Sequence, residues 1–62
     1  MQRKIQIFYY DEIEVIISER WVGGFFIGYI AEFKLNGAYH KLYGATSTKC
    51  WVEACKRIRE GK

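Results

Sequence analysis

The stretch that decides the fold is AEFKLNGAYHKLY, residues 31–43. Asn36 and Gly37 in its middle both tolerate a positive φ angle, which the two central residues of a type I′ turn require. A two-residue turn at this point pairs the flanking strands in antiparallel register, so that Phe33 lies opposite His40. The pattern therefore predicts a β-hairpin with one apolar face and one face that mixes charged and aromatic side chains.

The rest of the chain extends this hairpin into a small α+β domain. The other candidate strands are rich in β-branched and aromatic residues and are bounded by turn residues. Strands are expected at 4–10, 13–20, 25–35 and 38–43. Segment 48–60 repeats apolar residues at helical spacing and follows a Thr-Ser-Thr triplet at 46–48 whose hydroxyls can cap it. We expect an antiparallel sheet of three or four strands with one C-terminal helix packed on one face, in the order β-β-β-β-α.

Length and composition allow a single domain over 1–62. Half of the 62 residues are hydrophobic and 18% are aromatic, which is enough for a core without a metal or disulfide. The apolar positions of the strands and of the predicted helix should meet in this core. We expect it to contain Ile5 or Phe8, Val15, Ile17, Ile27, Ala31, Phe33, Leu42, Trp51, Cys55 and Ile58.

Cys50 and Cys55 are the only cysteines. Five residues apart on a helix, they lie about 140° apart around its axis, which is too far for a disulfide bond. Free thiols are typical of a reducing compartment. The chain shows no signal peptide and no apolar run long enough to span a membrane, so a cytoplasmic protein without a membrane partner is expected.

Catalytic and metal-binding patterns are missing from the sequence. His40 is the only histidine, the carboxylates show no paired spacing, and no glycine-rich phosphate loop precedes a helix. Cys50 near the start of the predicted helix is a weak exception, because a helix dipole can lower a thiol pKa. We therefore expect a binding protein that needs no cofactor or metal rather than an enzyme.

The charged and aromatic face of the hairpin is the first candidate site. The net charge is +3 and the isoelectric point is about 9.0, which favours acidic partners. Basic side chains interleaved with aromatic ones can contact phosphates and stack on bases. The candidate nucleic-acid-binding residues are Lys34, Tyr39, Lys41 and Tyr43, with Arg20 on the neighbouring strand.

The aromatic residues around Gly23 and Gly24 form the second candidate site. Strand alternation places Phe25 and Phe26 on opposite sides of the sheet, so one of them is expected in the core. The other, together with Trp21, would form an exposed contact for a partner protein or for a second copy of the chain in a homodimer. Strand addition at the free edge of the sheet offers the same kind of partner another contact.

Residues 28–58 also resemble known ββα units. They contain Gly-Tyr-Ile-Ala-Glu-Phe, Asn-Gly, His-Lys-Leu-Tyr-Gly-Ala, Thr-Ser-Thr and Trp-Val-Glu-Ala-Cys-Lys-Arg-Ile in this order. The segment is similar to the arm-binding domains of phage tyrosine recombinases, to the DNA-binding domains of plant ethylene-response factors and to HicB-like antitoxin domains, with Glu53 and Ala54 matching their helix motif. The first two resemblances imply a sheet that enters the DNA major groove, with contacts from Lys34, Tyr39 and Lys41.

Fold-level analogy indicates a biological setting. Small basic α+β proteins of this kind are frequent in phages and mobile elements. The first hypothesis is therefore a nucleic-acid-binding accessory protein of phage or mobile-element type. The second is a protein–protein interaction module, such as a phage-encoded inhibitor of a host defence complex or a homodimeric adaptor.

Overall fold

The computed structural model describes residues 5–61 as a four-stranded antiparallel sheet covered on one side by a helix. The elements are β1 (Ile5–Tyr10), β2 (Ile13–Val22), β3 (Phe25–Leu35), β4 (Ala38–Gly44) and α1 (Ser47–Glu60). The strands lie in the order β1-β2-β3-β4, so each pairs with its neighbour in sequence. The predicted α+β fold and strand order are confirmed. Lys4, which was expected in the first strand, lies outside the described residues.

All three strand connections are two-residue turns with positive φ angles. The angles are 53° and 81° at Asn36 and Gly37, as a type I′ turn requires. The register that follows is the predicted one, with Phe33 opposite His40 and the two rings stacked 5.3 Å apart. The turn chemistry therefore fixes which side chains of β3 and β4 share a face.

The core lies between α1 and one side of the sheet, which we call the helix face; the other side is the open face. The fully buried apolar side chains are Val15, Ile17, Ala31, Phe33, Leu35, Cys50, Ala54 and Ile58. Leu42 and Trp51 are only half-buried and pack against this cluster. Trp51 reaches sideways to β1, where its ring lies 4.9 Å from that of Phe8. Tryptophan here covers the margin of the core rather than filling its centre.

The cysteine assignment was wrong, since Cys50 is fully buried and Cys55 is only half-buried. The buried stripe of α1 is Cys50, Ala54 and Ile58, spaced four residues apart. Ala54 and Ile58 belong to the predicted stripe, whereas Cys50 is buried in place of Trp51 and Cys55. Cys50 fits because its sulfur faces Gly44, where an added Cβ would lie 3.0 Å from it. A glycine at the end of β4 therefore lets the first turn of α1 approach the sheet closely.

Ile27 was also expected in the core and is instead exposed. Arg20 pairs with Gly28 and Trp21 pairs with Phe26, so Ile27 has no partner across the ladder and forms a β-bulge. One extra residue in a strand shifts the alternation of faces for every residue beyond it. Assigning every second residue of β3 to the helix face, starting from Ala31, therefore gives the wrong result at Ile27.

Hydrogen bonds close both ends of α1. The Thr46 hydroxyl accepts from the backbone N–H of Lys49 at 3.1 Å, so the first threonine of the triplet is the N-cap. At the other end the N–H of Gly61 donates to the carbonyl oxygens of Arg57 and Ile58. The Asn36 side-chain amide donates to the Gly61 carbonyl at 3.1 Å and ties this end of α1 to the β3–β4 turn.

Candidate functional site

The β2–β3 hairpin extends beyond the described parts of β1 and β4. Within residues 5–61, the pairing of β1 with β2 reaches Ser18 and that of β4 with β3 reaches Tyr29, and no described strand flanks the hairpin beyond these two residues. Residues 21–27, which we call the hairpin tip, form a two-stranded ribbon past the start of α1. The molecule is accordingly elongated, with extents of 37 × 18 × 16 Å.

Four large apolar side chains lie at or next to the turn of the tip. Gly23 and Gly24 have φ angles of 58° and 83°, and the tight turn pairs Val22 with Phe25. The exposed fractions are 60% for Val22, 75% for Phe25, 44% for Phe26 and 47% for Ile27. Apolar side chains of this size at the end of a ribbon are exposed because no layer of the described protein covers them. Clustered exposure of this kind marks interaction sites.

The expectation that one of Phe25 and Phe26 belongs to the core was wrong. The two side chains do point to opposite sides, and Phe26 lies on the helix side of the ribbon together with Trp21. The helix, however, begins at Ser47 beside the end of β4 and does not reach this far. The alternation of side chains along a strand predicts on which side of the sheet a residue lies. It does not predict whether another element covers that side.

A series of ring contacts connects the tip to the domain. The rings of Trp21 and Phe26 lie 5.6 Å apart, and those of Phe26 and Tyr29 lie 5.2 Å apart, both edge to face. The Trp21 indole N–H donates to a Glu19 carboxylate oxygen at 3.0 Å. Tyr29 in turn packs against the core. The tip is therefore held in a defined orientation while Phe25 remains free of ring contacts among the described residues.

Sequence reasoning selected Trp21, Phe25 and Phe26 but missed Val22 and Ile27. A usable signal was the uncharged run from Trp21 to Ala31, which is eleven residues long and has glycines at 23, 24 and 28. A strand that is buried on both faces of a sheet would have the same kind of uncharged, apolar sequence. The run indicates a contact surface only once the structure shows that half of it is uncovered.

The structure places the five sequence-predicted nucleic-acid residues together on the open face. The guanidinium carbon of Arg20 lies 4.3 Å from the centre of the Tyr43 ring, and the Lys34 ammonium lies 5.8 Å from the Tyr39 ring. Lys41 lies opposite Glu32 at 3.9 Å between their charged atoms. The Glu32 carboxylate therefore competes with an external phosphate for Lys41, whereas the neighbours of Arg20 and Lys34 are tyrosine rings.

The distribution of charge differs between the sheet and the helix. The strands and turns over 5–44 carry three basic and five acidic side chains, whereas α1 carries four basic and two acidic ones. A depression of the open face is lined in part by Glu12, Glu14 and Glu32. The basic character of the protein therefore comes from α1 and the chain ends and not from the open face.

The surroundings of Cys50, Cys55 and His40 bear on whether these side chains could act in catalysis or metal binding. Burial raises the pKa of the Cys50 thiol, which is the opposite of the lowering that a helix dipole can cause. Burial also raises the pKa of Cys55, against a smaller lowering by the nearby Arg59 guanidinium. His40 stacks on Phe33 at an interplanar angle of 15°. Among residues 5–61, no three histidine, cysteine or acidic side chains are grouped so that they could hold a metal ion.

In the described part of the chain, no helix is both long and apolar enough to cross a lipid bilayer.

Comparison with known proteins adds no relationship to this geometry. No family model, curated protein or solved structure matches the chain.

Proposed function

We propose that this protein is a non-enzymatic binding module that inserts its hairpin tip into an apolar pocket of a partner protein. The observation that carries the proposal is the exposure of Val22, Phe25, Phe26 and Ile27 on a ribbon that projects beyond the domain. Water contact with so much apolar surface is unfavourable, and covering it releases free energy in proportion to the area.

The shape of the tip supports a concave partner. A two-stranded ribbon is narrow and convex, so its side chains can be enclosed on several sides at once. Fully enclosed aromatic anchors dominate the binding energy of most protein interfaces. The ring contacts of Phe26 with Trp21 and Tyr29 already fix its position, which lowers the entropy lost on binding. Phe25 is the outermost anchor in this arrangement.

The charges near the tip favour a protein over a lipid surface. Segments that insert into anionic membranes combine apolar side chains with a cluster of lysine or arginine residues. Here Glu19 and Arg20 precede the tip with opposite charges, and the eleven residues that follow have none. This composition supports a neutral, apolar pocket as the complementary surface.

The test compares tip variants with a matched control in an affinity capture from extracts of the source cells, followed by quantitative binding to each captured protein. Phe25→Ala should weaken the binding of the true partner at least tenfold. Tyr39→Ala, which removes an equally exposed aromatic residue from the open face, should leave that affinity within twofold. Equal losses for both variants would contradict the proposal. Retention on neutral or anionic vesicles with the same Phe25 dependence would identify a membrane surface instead.

Nucleic-acid binding by the open face is the second candidate. The observation that favours it is the placement of Arg20 and Lys34 beside the exposed rings of Tyr43 and Tyr39. Such pairs can stack on bases and contact phosphates.

A titration of duplex DNA and single-stranded RNA at two salt concentrations separates this candidate from the first. Binding through the open face should fall steeply with salt and be lost in the Lys34→Ala/Lys41→Ala double variant. The Lys49→Ala/Lys56→Ala variant removes two charges from α1 instead. If that control loses affinity while the sheet variant retains it, the open face is not the binding surface.

A further inference from the structure

β1 is an edge strand whose outer side has no partner among the described residues. Natural edge strands usually carry charges, prolines or bulges that prevent pairing with other chains. The sequence of β1 is Ile-Gln-Ile-Phe-Tyr-Tyr, with no charge, no proline and no glycine, and its register with β2 has no bulge. β4, the opposite edge, contains Lys41 and ends in Gly44. The β4 edge therefore has features that discourage strand addition, and the β1 edge lacks them.

The turn between β1 and β2 determines which backbone groups face outward. Asp11 and Glu12 have φ angles of 53° and 67°, and Tyr10 pairs with Ile13 across this two-residue turn. In such a hairpin the residues that flank the turn exchange both backbone hydrogen bonds, and bonded and unbonded pairs then alternate. The N–H and C=O groups of Gln6, Phe8 and Tyr10 consequently bond to β2. Those of Ile5, Ile7 and Tyr9 point to the free edge.

The side chains beside this edge are apolar and open to solvent. Ile7 is 51% exposed and Tyr9 is 68% exposed on the open face, and Phe8 is 39% exposed on the helix face. A hollow of about 100 Å³ lies next to Phe8, between β1 and the first turns of α1, and is lined also by Gln6 and Trp51. The edge thus offers unsatisfied backbone groups, an apolar surface and a small recess at one place.

We infer that β1 pairs with β1 of a second copy of this chain, in antiparallel orientation about a two-fold axis through Ile7. In this register the outward groups of Ile5 bond those of Tyr9 in the other copy, and the two Ile7 residues bond each other. The result is a continuous eight-stranded sheet with both helices on the same side. Phe8 of each copy lies opposite Gln6 of the other, beside the hollow.

A second copy fits this edge better than an unrelated strand. An antiparallel two-fold arrangement uses the same patch on both partners, so the surface has to be complementary only to itself. An uncharged strand meets this condition because no like charges face each other across the new ladder. A single strand pair is at the small end of stable interfaces, so we expect a Kd of about 10–100 μM.

Sedimentation velocity over a concentration series tests the inference. The wild-type chain should convert from monomer to dimer, without larger species. Ile7→Lys should weaken this association at least tenfold, because it places two ammonium groups beside each other at the two-fold axis. Tyr39→Lys adds the same charge to the open face at the β4 edge and should change the association less than twofold. Circular dichroism spectra of each variant establish that it is folded.

Amide hydrogen exchange of the wild type provides a readout that needs no variant. Exchange at Ile7 and Tyr9 should slow as the concentration rises, because their N–H groups become bonded in the dimer. The amides of Gln6 and Phe8 are already bonded to β2 and should respond much less.

Three results would overturn the inference. The first is a wild-type chain that stays monomeric up to about 1 mM. The second is association that Phe25→Ala abolishes, which would place the contact at the hairpin tip. The third is concentration-dependent protection at β4 rather than at β1. The first and third outcomes leave the hairpin-tip function untouched, because Phe25 lies at the far end of β3 from the residues that they concern. The second outcome would instead make a second copy of the chain the partner of the tip.

Discussion

Removing the side chain of Phe25 should leave the fold nearly intact, whereas removing that of Phe33 should unfold much of the population. Both residues lie in β3, but Phe25 is 75% exposed and Phe33 is 2% exposed. A buried aromatic side chain hides about 150–250 Å², so the quarter that Phe25 buries amounts to roughly 40–60 Å². At about 25 cal/mol per Å² this contributes about 1–1.5 kcal/mol, which is an upper bound.

The loss of stability expected for Phe33→Ala is far larger. Truncation of a buried phenylalanine to alanine costs about 3–5 kcal/mol, including the cavity it leaves. A domain of this length has a total stability of about 3–9 kcal/mol. Phe33→Ala therefore removes a large part of the stability or all of it, and Phe33→Leu is a milder variant for which the loss can be measured if the first does not fold.

Urea denaturation followed by far-UV circular dichroism measures both changes, and a thermal melt gives a second value. We expect Phe25→Ala to lower Tm by no more than about 10 °C. A loss of about 3 kcal/mol or more in Phe25→Ala would mean that its side chain is buried within the isolated protein. That result would refute the exposed tip and remove the support for the proposed binding function.

Four further predictions concern stability and reactivity. Gly28→Ala should cost about 1–3 kcal/mol in urea denaturation, because φ is 136° and a Cβ would lie 2.8 Å from the Gly44 carbonyl oxygen. Thr46→Ala should cost about 0.5–2 kcal/mol and Thr46→Ser much less, as the loss of an N-cap acceptor predicts; equal losses would refute the cap. Cys50 should react with a thiol reagent more slowly than Cys55. Because burial raises the pKa of both thiols from 9.0, the unfolded chain releases these protons first, and stability should fall as the pH rises above about 9; a stability that rises there would contradict this.

The sheet could be predicted because the residues that determine its register lie close together in the sequence. The Asn36-Gly37 turn fixes the register of β3 and β4 by backbone conformation alone, and the opposite charges at Glu32 and Lys41 agree with it. The same reasoning located the helix to within one residue, since the capping hydroxyl of Thr46 and the stop at Gly61 are also local signals.

The errors arose where tertiary geometry outweighs the pattern. The bulge at Ile27 changes the alternation of faces, and nothing in the surrounding letters distinguishes an isoleucine in a bulge from one in a regular pair. The exchange of Cys50 and Cys55 depends on Gly44, a residue six positions earlier that lets one side of α1 approach the sheet. The exposure of the hairpin tip depends on where α1 begins relative to β2 and β3, and no local sequence pattern contains this information.

The order of the elements has a consequence during protein synthesis. Each strand pairs with its sequence neighbour, and hairpins form in about 1–10 μs, so the sheet can assemble as soon as it leaves the ribosome. The 14 residues of α1 leave the ribosome after the sheet. Until then Val15, Ile17 and Phe33 lack the cover that Ile58 later provides. During this interval the sheet exposes apolar side chains that the finished domain buries, and transiently exposed apolar surface promotes aggregation.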